Sequence, residues 1–461
     1  MRRLRPTRVG LPGPPALEMA LRLREIRADP LEFLHEVQQR YGDQVAFPAP
    51  GPPVLLLNAP ADVRHVLQEH GRTWTKETVQ YRTLARVTGA GLLASAQADW
   101  ISRRRIAQPA FHHERLADMV AVMRDSARSL VDAWGKPAHD GPGEGHAPRG
   151  AVDVDVEELS MDVTLQVVGR ALFGYDLSRV ADRLARATAA AAELVVALAR
   201  SLVPVPSAVP TPLNRRLAAA TRELDEVCRQ VVADRRGAGV DEPDLLGRLL
   251  AAGLSDREVR DELVTMVVAG HETVATSLMW TLLLLAQNPN AQVRLREEVR
   301  GRHTAGEAGG APGVAGLQQL RWTRAVVDES LRLYPPAWVI SRRARSADLL
   351  AGRRVPPGTL AIVSPWLVHR TAPAWQEPEE FRPERFLATG TSARADYLPF
   401  GLGPRLCIGR DMALLELLVL LSELLHGHAV TLPEGTEPPG RDAFTTVRPH
   451  GGLRLRFVSE N

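Results

Sequence analysis

Phe400-Gly401-Leu402-Gly403-Pro404-Arg405-Leu406-Cys407-Ile408-Gly409 is the segment on which the reading of this chain turns. A single cysteine is ordinarily a small buried hydrophobe, but Cys407 has unusual neighbours. Gly401, Gly403 and Gly409 allow the backbone to approach a flat ligand or a sulfur atom closely. A strongly helix-forming, apolar run starts directly after Gly409, and backbone N–H groups at a helix start favour a thiolate, the form in which sulfur binds metal. Arg405, two residues before the cysteine, is placed to pair with an anionic group on whatever the sulfur holds.

The rest of the composition narrows the field. Among 461 residues there are two cysteines, and the other, Cys228, sits in an ordinary helical run. That excludes a disulfide scaffold and any Cys-rich zinc or iron–sulfur module, and it points to a reducing, cytoplasmic setting. The 57 basic residues against 54 acidic ones leave a net charge of +3, too little to argue for nucleic acid. All but Lys76 and Lys136 of the basic residues are arginine, a signature of GC-rich coding. The basic N-terminus MRRLRPTRVGLPGPP lacks the apolar run of a signal peptide or membrane anchor, so residues 1–20 are expected to form an extended arm. No stretch reaches ~18 uncharged apolar residues, as a membrane span requires; the nearest, Leu278 to Ala286, is flanked by His271–Glu272 and Asn288.

The periodicity is mostly α with a minor β portion. A small sheet is expected around Val54–Leu57, and residues 99–302 read as mainly helical. Within them Gly135–Gly150 is a polar loop, and Pro204–Pro212 joins helices at roughly 181–202 and 213–236. Asp256–Gln287 reads as one central helix, far longer than the ~11–12-residue mean, and is therefore expected to be buried on several sides. Beyond Tyr334 come Pro-rich turns, short strands and a last helix near Gly409–His426. No linker divides residues 1–461, so they are read as a single domain.

Two polar clusters lie in otherwise apolar helical context. Ala269-Gly270-His271-Glu272-Thr273 interrupts the central helix, and such groups cost free energy unless they are partnered or used. Thr273 bonding back to the carbonyl four residues earlier, and His271 as a satisfied core residue, are the ordinary alternatives. Glu329 and Arg332 share one helix face at i and i+3. His112-His113 and His426-Gly427-His428 lack partner ligands at useful spacing and are not read as metal sites.

Phe400, Gly403, Arg405, Cys407 and Gly409 together resemble the haem signature FxxGxRxCxG of the cytochrome P-450 superfamily, in its soluble bacterial form. The resemblance extends along the chain in order. Trp100-Ile101-Ser102-Arg103-Arg104 resembles the WxxxR helix, Ala269–Thr273 the AGx[DE]T segment, Glu329–Arg332 the ExxR helix, and Pro383–Phe386 the PERF segment. It implies the family fold, with haem b between the central helix and the Cys-bearing loop before the last helix. It further implies that Cys407 is the axial thiolate of the haem iron, a ligation that favours O–O cleavage. Phe400, Arg405, Gly409, Trp100, Arg104, Ala269 and Gly270 become haem contacts, Glu272 and Thr273 a proton relay, and Glu329, Arg332 and Arg385 a structural cluster. A further propionate arginine is implied at Arg342 or Arg343, with Arg343 carried as the contact.

The same resemblance places substrate contacts at Val79, Tyr81, Leu84, Leu92, Met266, Trp338, Val339, Ile340 and Phe444, a largely apolar set suited to a hydrophobic ligand. It implies a monomeric monooxygenase that inserts one atom of O2 into a polyketide, macrolide or terpenoid by hydroxylation or epoxidation. About fifty residues follow the haem signature, too few for a flavin or ferredoxin module, so electrons are expected from a separate ferredoxin and its reductase. Arg103, Arg105 and Arg410 would supply a positive docking face for that acidic partner. Oxidative coupling without oxygen insertion is an alternative within the enzymes. A haem-binding sensor or carrier without turnover is the alternative outside them.

Overall fold

The computed structural model describes residues 10–134, 150–199, 206, 208–239, 242–305, 312–371, 375–387 and 395–460. Helices dominate, and one apolar core runs through most of them. A second cluster, including Leu55, Leu57, Trp74 and Val363, lies under a five-stranded sheet. That sheet runs in the order Gln44–Phe47, Val54–Leu57, Leu360–Val363, Ile340–Ala344, Trp74–Thr75. Ala151–Asp155, Arg454–Ser459 and His428–Thr431 form a three-stranded sheet. Two short hairpins complete the β portion, Asp348–Leu350 with Arg353–Val355 and Arg441–Ala443 with Val447–Pro449.

The central helix spans Asp256–Gln287, and a capping box starts it: Glu258 N–H donates to Ser255 Oγ while Ser255 N–H donates to the Glu258 carboxylate. Several of its interior polar groups are paired, although the buried Thr265 and Thr276 hydroxyls have no hydrogen-bond partner among the described residues. Thr281 donates to the Ser277 carbonyl and lies 2.9 Å from Ser330 Oγ, and Trp280 donates to the Val447 carbonyl while its ring stacks on Tyr334 at 3.7 Å. By length and composition this helix could cross a membrane, yet 72% of its most apolar 18-residue window is buried inside the fold, which is how a core helix behaves. The helices expected near 181–202 and 213–236 run Ala181–Ala199 and Pro212–Ala238, and the last helix runs Arg410–Leu425.

The N-terminus departs from expectation. Ala16–Leu21 is a helix rather than extended chain, starting directly after Pro15; residues 1–9 lie outside the described residues, as does Gly135–Gly150 apart from Gly150 itself. The strand Ala151–Asp155 falls in the stretch read as helical. It is held by antiparallel pairing with Arg454–Ser459, some three hundred residues later, which local periodicity cannot register.

Candidate active site

Between its exposed ends the central helix is buried except at one place. From Asp261 to Leu285 every residue is fully buried but Val268, Ala269, Gly270, Glu272 and Thr273. The break coincides with the polar segment singled out in the sequence. Thr273 Oγ1 donates to the Ala269 carbonyl at 2.6 Å, which occupies its proton and leaves its lone pairs able to accept. Glu272 points elsewhere, roughly 100° round the helix, and its carboxylate accepts from Thr445 and Thr446 hydroxyls at 2.9 and 2.8 Å. His271 is a satisfied core residue: Nε2 pairs with the Met161 carbonyl at 2.9 Å, and burial lowers its pKa to about 4. A side chain at Gly270 would meet Val168 of the Val156–Phe173 helix at 3.1 Å. Glycine there also serves close helix packing.

The Cys407 loop is built for sulfur. Cys407 N–H donates to the Phe400 carbonyl at 3.0 Å, closing the loop, and the Gly409 N–H faces the sulfur at the start of the last helix. The sulfur is accessible to solvent, yet enough protein surrounds it for burial to push its pKa up. The Gly409 N–H and the charges of Arg104, Lys76 and Arg410 pull the other way. Gly403, at φ +73°, backs onto Leu67, where a side chain would collide with the Leu67 carbonyl. By contrast Cys228 is buried in the core, with its pKa raised to about 12.

Around the sulfur stands a group of cations. Arg104 donates to the Leu406 carbonyl at 2.7 Å, and Arg405 lies over the Trp100 ring at 4.2 Å while donating to Ser95 and Gln97. Arg342 donates to its neighbour's carbonyl and approaches Tyr81 Oη at 3.4 Å. Lys76, which the sequence reading passed over, donates to the Leu93 carbonyl and lies 4.7 Å over the Tyr81 ring. Burial and the neighbouring charges of Arg342 and Arg405 drive the Lys76 pKa well down; burial and Arg342 bring that of Arg405 to about 10. Among the described residues no carboxylate pairs with any of the four.

The strand Ile340–Ala344 separates the two candidate arginines. Alternation puts Arg342 inside, 5% exposed, beside Lys76 and Arg405. Arg343 points to the other face, toward Gly358, so of the two arginines Arg342 is the one that lies beside Lys76 and Arg405. Arg103 is also corrected. It is buried and paired with Glu262 at 2.9 Å, so it offers no charge to a docking face, whereas Arg105 is exposed.

Glu329, Arg332 and Arg385 come together as expected. All five N–H groups of the fully buried Arg332 are used: two on Glu329 at 2.8 and 2.9 Å, and three on the carbonyls of His369, Pro378 and Glu380. Arg385 Nε adds a bond to Glu329 Oε1 at 3.0 Å. His369, missed in the sequence, accepts from the Leu398 N–H just ahead of the Cys407 loop.

Of the nine expected substrate residues, Leu84 alone lines a cavity of about 170 Å³ that sits between the Val79–Thr88, Val156–Phe173 and Ala181–Ala199 helices and the central helix. Its walls include Ala185, Ala189, Ala192 and Val268, with Glu272 and Arg448 among the few charges. Tyr81 belongs to the cation group instead, and Leu92 and Met266 are packed in the core. Trp338 donates to the Phe444 carbonyl at 2.9 Å, Val339 accepts from Gln80, Ile340 is buried at the start of its strand, and Val79 is exposed.

The haem that the signature implies can be tested against this geometry. A flat dianion carrying iron needs a sulfur ligand, a narrow clearance and cationic partners for its two carboxylates. The Cys407 sulfur is accessible, the central helix is less buried at Ala269–Thr273, and Lys76, Arg104, Arg342 and Arg405 have no carboxylates of their own among the described residues. The residues present fit the group.

The comparisons with known proteins agree. Residues 11–457 match the family model for cytochrome P450. Cyclooctatin synthase and cyclooctat-9-en-7-ol 5-monooxygenase of Streptomyces melanosporofaciens are each 31% identical, the match covering 86% of this chain and 84% of each relative. The crystal structure of CYP175A1 from Thermus thermophilus superposes with a TM-score of 0.77 at 30% identity, over 97% of this chain and all of that one. With its fold, its cysteine loop and its family match in agreement, this chain belongs to the cytochrome P450 family of monooxygenases.

Proposed function

We propose that this protein hydroxylates a cyclic terpenoid, with haem b held by Cys407 and electrons delivered by a separate ferredoxin and its reductase. When bound, the haem supplies the activation of dioxygen; the chain's own residues bind, orient and deliver protons. Lys76, Arg104, Arg342 and Arg405 hold the propionates, and Trp100 supports Arg405 from below. Glu329, Arg332 and Arg385 fix the segment behind the cysteine. Thr273 accepts a hydrogen bond from water in the cleft, and Glu272, turned toward the cavity, exchanges protons with it through further water. The protein acts as a monomer in the cytoplasm, and Arg105 and Arg410 contribute to the ferredoxin-docking face.

The observation that carries the substrate class is the cavity beside Glu272. Alanines on the Ala181–Ala199 helix leave a largely apolar space, while Thr445, Arg448 and Glu272 are among its polar contacts. An apolar ring system bearing one hydroxyl suits that arrangement, and two relatives are named for cyclooctatin chemistry, one acting on cyclooctat-9-en-7-ol. The experiment is incubation of the haem-loaded protein with ferredoxin, reductase and NADPH under 18O2, offering cyclooctat-9-en-7-ol beside a macrolide panel. A terpenoid product carrying one 18O atom is expected. Turnover of macrolides alone would overturn the substrate class, and product free of 18O would favour coupling over oxygen insertion.

A further inference from the structure

A second cluster of ligand-type side chains lies outside the haem cleft. The turn His65–Glu69 is a π-helix, with His70 N–H donating to the His65 carbonyl at 2.8 Å. In an α-helix, residues five apart point roughly 140° from one another. The wider π turn lines them up, and the two imidazoles stack with centroids 3.9 Å apart and planes inclined by 18°. Asp348, from a distant hairpin, faces both rings. Its Oδ2 is 2.8 Å from His65 Nε2, and its Oδ1 is 3.4 Å from His70 Nδ1.

The carboxylate is fixed from behind. Trp74 Nε1 donates to Oδ2 at 2.7 Å and Leu349 N–H to Oδ1 at 2.8 Å, and the Asp348 side chain is 8% exposed. His65 is largely buried as well, while His70 is 43% exposed and can be turned out toward solvent only by giving up its stack on His65. The three groups are thus one anchored carboxylate, one held imidazole and one adjustable imidazole.

We propose that His65, His70 and Asp348 bind one divalent transition-metal ion of the zinc type. His65 Nε2, His70 Nδ1 and an Asp348 oxygen are the ligands, and water completes the shell. The ligand atoms all lie within 4.8 Å of one another. Bonds of about 2.0–2.2 Å require His70 to leave its stack on His65 and turn until its in-plane nitrogen lone pair converges with that of His65. Two imidazoles with one carboxylate select zinc, nickel or copper over calcium or magnesium. Trp74 and Leu349 supply the outer hydrogen bonds that keep such a carboxylate oriented. The turn lies against Gly403–Arg405, with Gly71 facing Pro404, so a bound ion would clamp the segment behind the Arg405 turn to the Asp348 hairpin. The other cluster of this kind, His112, His113 and Glu114, is exposed throughout and has no buried anchor, which makes it the internal control.

The test is calorimetric titration of Zn2+ into the haem-loaded protein, with His70→Ala and His112→Ala alongside. His70 is exposed, so its removal leaves the fold intact. One Zn2+ per chain is expected, with affinity at least about tenfold weaker in His70→Ala, the order of loss seen when a metal-site group is removed, and unchanged in His112→Ala. The intact wild-type protein should also unfold at a higher temperature with Zn2+ present, and His70→Ala should not. Absence of saturable binding, equal affinity in His70→Ala, or loss of binding in His112→Ala would overturn the proposal.

Discussion

His369 Nε2 accepts the backbone N–H of Leu398 at 2.6 Å. Because Nε2 must be the acceptor there, Nδ1 carries the proton, and it lies 3.0 Å from the Arg332 carbonyl. One neutral imidazole therefore ties the Arg321–Leu333 helix to the approach of the Cys407 loop.

That relationship predicts a pH dependence. Burial lowers the pKa of His369 to about 3 and that of His271 to about 4, against 6.5 when unfolded. A depressed histidine pKa means that the unfolded chain binds the proton first. The stability held by each neutral ring is complete above pH 6.5 and is lost as pH falls toward the folded value, at ~1.4 kcal/mol per unit for each histidine. Urea midpoints between pH 7 and 4.5 should fall less steeply in His271→Gln than in wild type. Parallel slopes would contradict the assignment.

Arg332→Lys should cost ~3–5 kcal/mol, because an ammonium has three donors for five acceptors and leaves buried Glu329 short of a partner. Glu329→Ala strands two arginines by the same reasoning. Both variants should accumulate as apoprotein or aggregate, measured as the haem-to-protein absorbance ratio. Full haem content in either would remove this cluster from the account.

Lys76→Met and Arg342→Gln should each speed haem transfer to apomyoglobin roughly 10- to 100-fold, the size of one charge-assisted hydrogen bond of about 1.5–3 kcal/mol. Arg343→Gln should leave the rate near wild type. A reversal of the two arginines would mean that strand alternation has been assigned to the wrong face.

Thr273→Ala should retain the haem spectrum and divert reducing equivalents into hydrogen peroxide, read as the ratio of peroxide to product. Glu272→Gln should slow turnover with less diversion, since its carboxylate is bonded to Thr445 and Thr446 and not to Thr273. Unchanged coupling in Thr273→Ala would end its role as relay.

What could be read from sequence follows the range of the interactions. The Cys407 loop, the Glu329–Arg332 helix and the central helix are set by local spacing, and all three stand where the residues put them. Arg385 was also legible, because its segment has a fixed composition. Lys76 was not, since a lone lysine in a turn shows nothing of the Arg342 and Arg405 side chains it meets in space. Arg342 and Arg343 are equivalent until the sheet chooses a face. The cavity residues Ala185, Ala189 and Ala192 read as ordinary helix formers, and their use as a wall depends on where the Ala181–Ala199 helix docks.

The central claim is that Cys407 ligates haem iron as a thiolate. The direct measurement is the absorption spectrum of the reduced, CO-bound protein, for wild type and Cys407→His. The strongly red-shifted Soret band of thiolate ligation is expected in wild type, and an unshifted band of the imidazole type in Cys407→His. An unshifted band in wild type, or the red-shifted band surviving in Cys407→His, would contradict it.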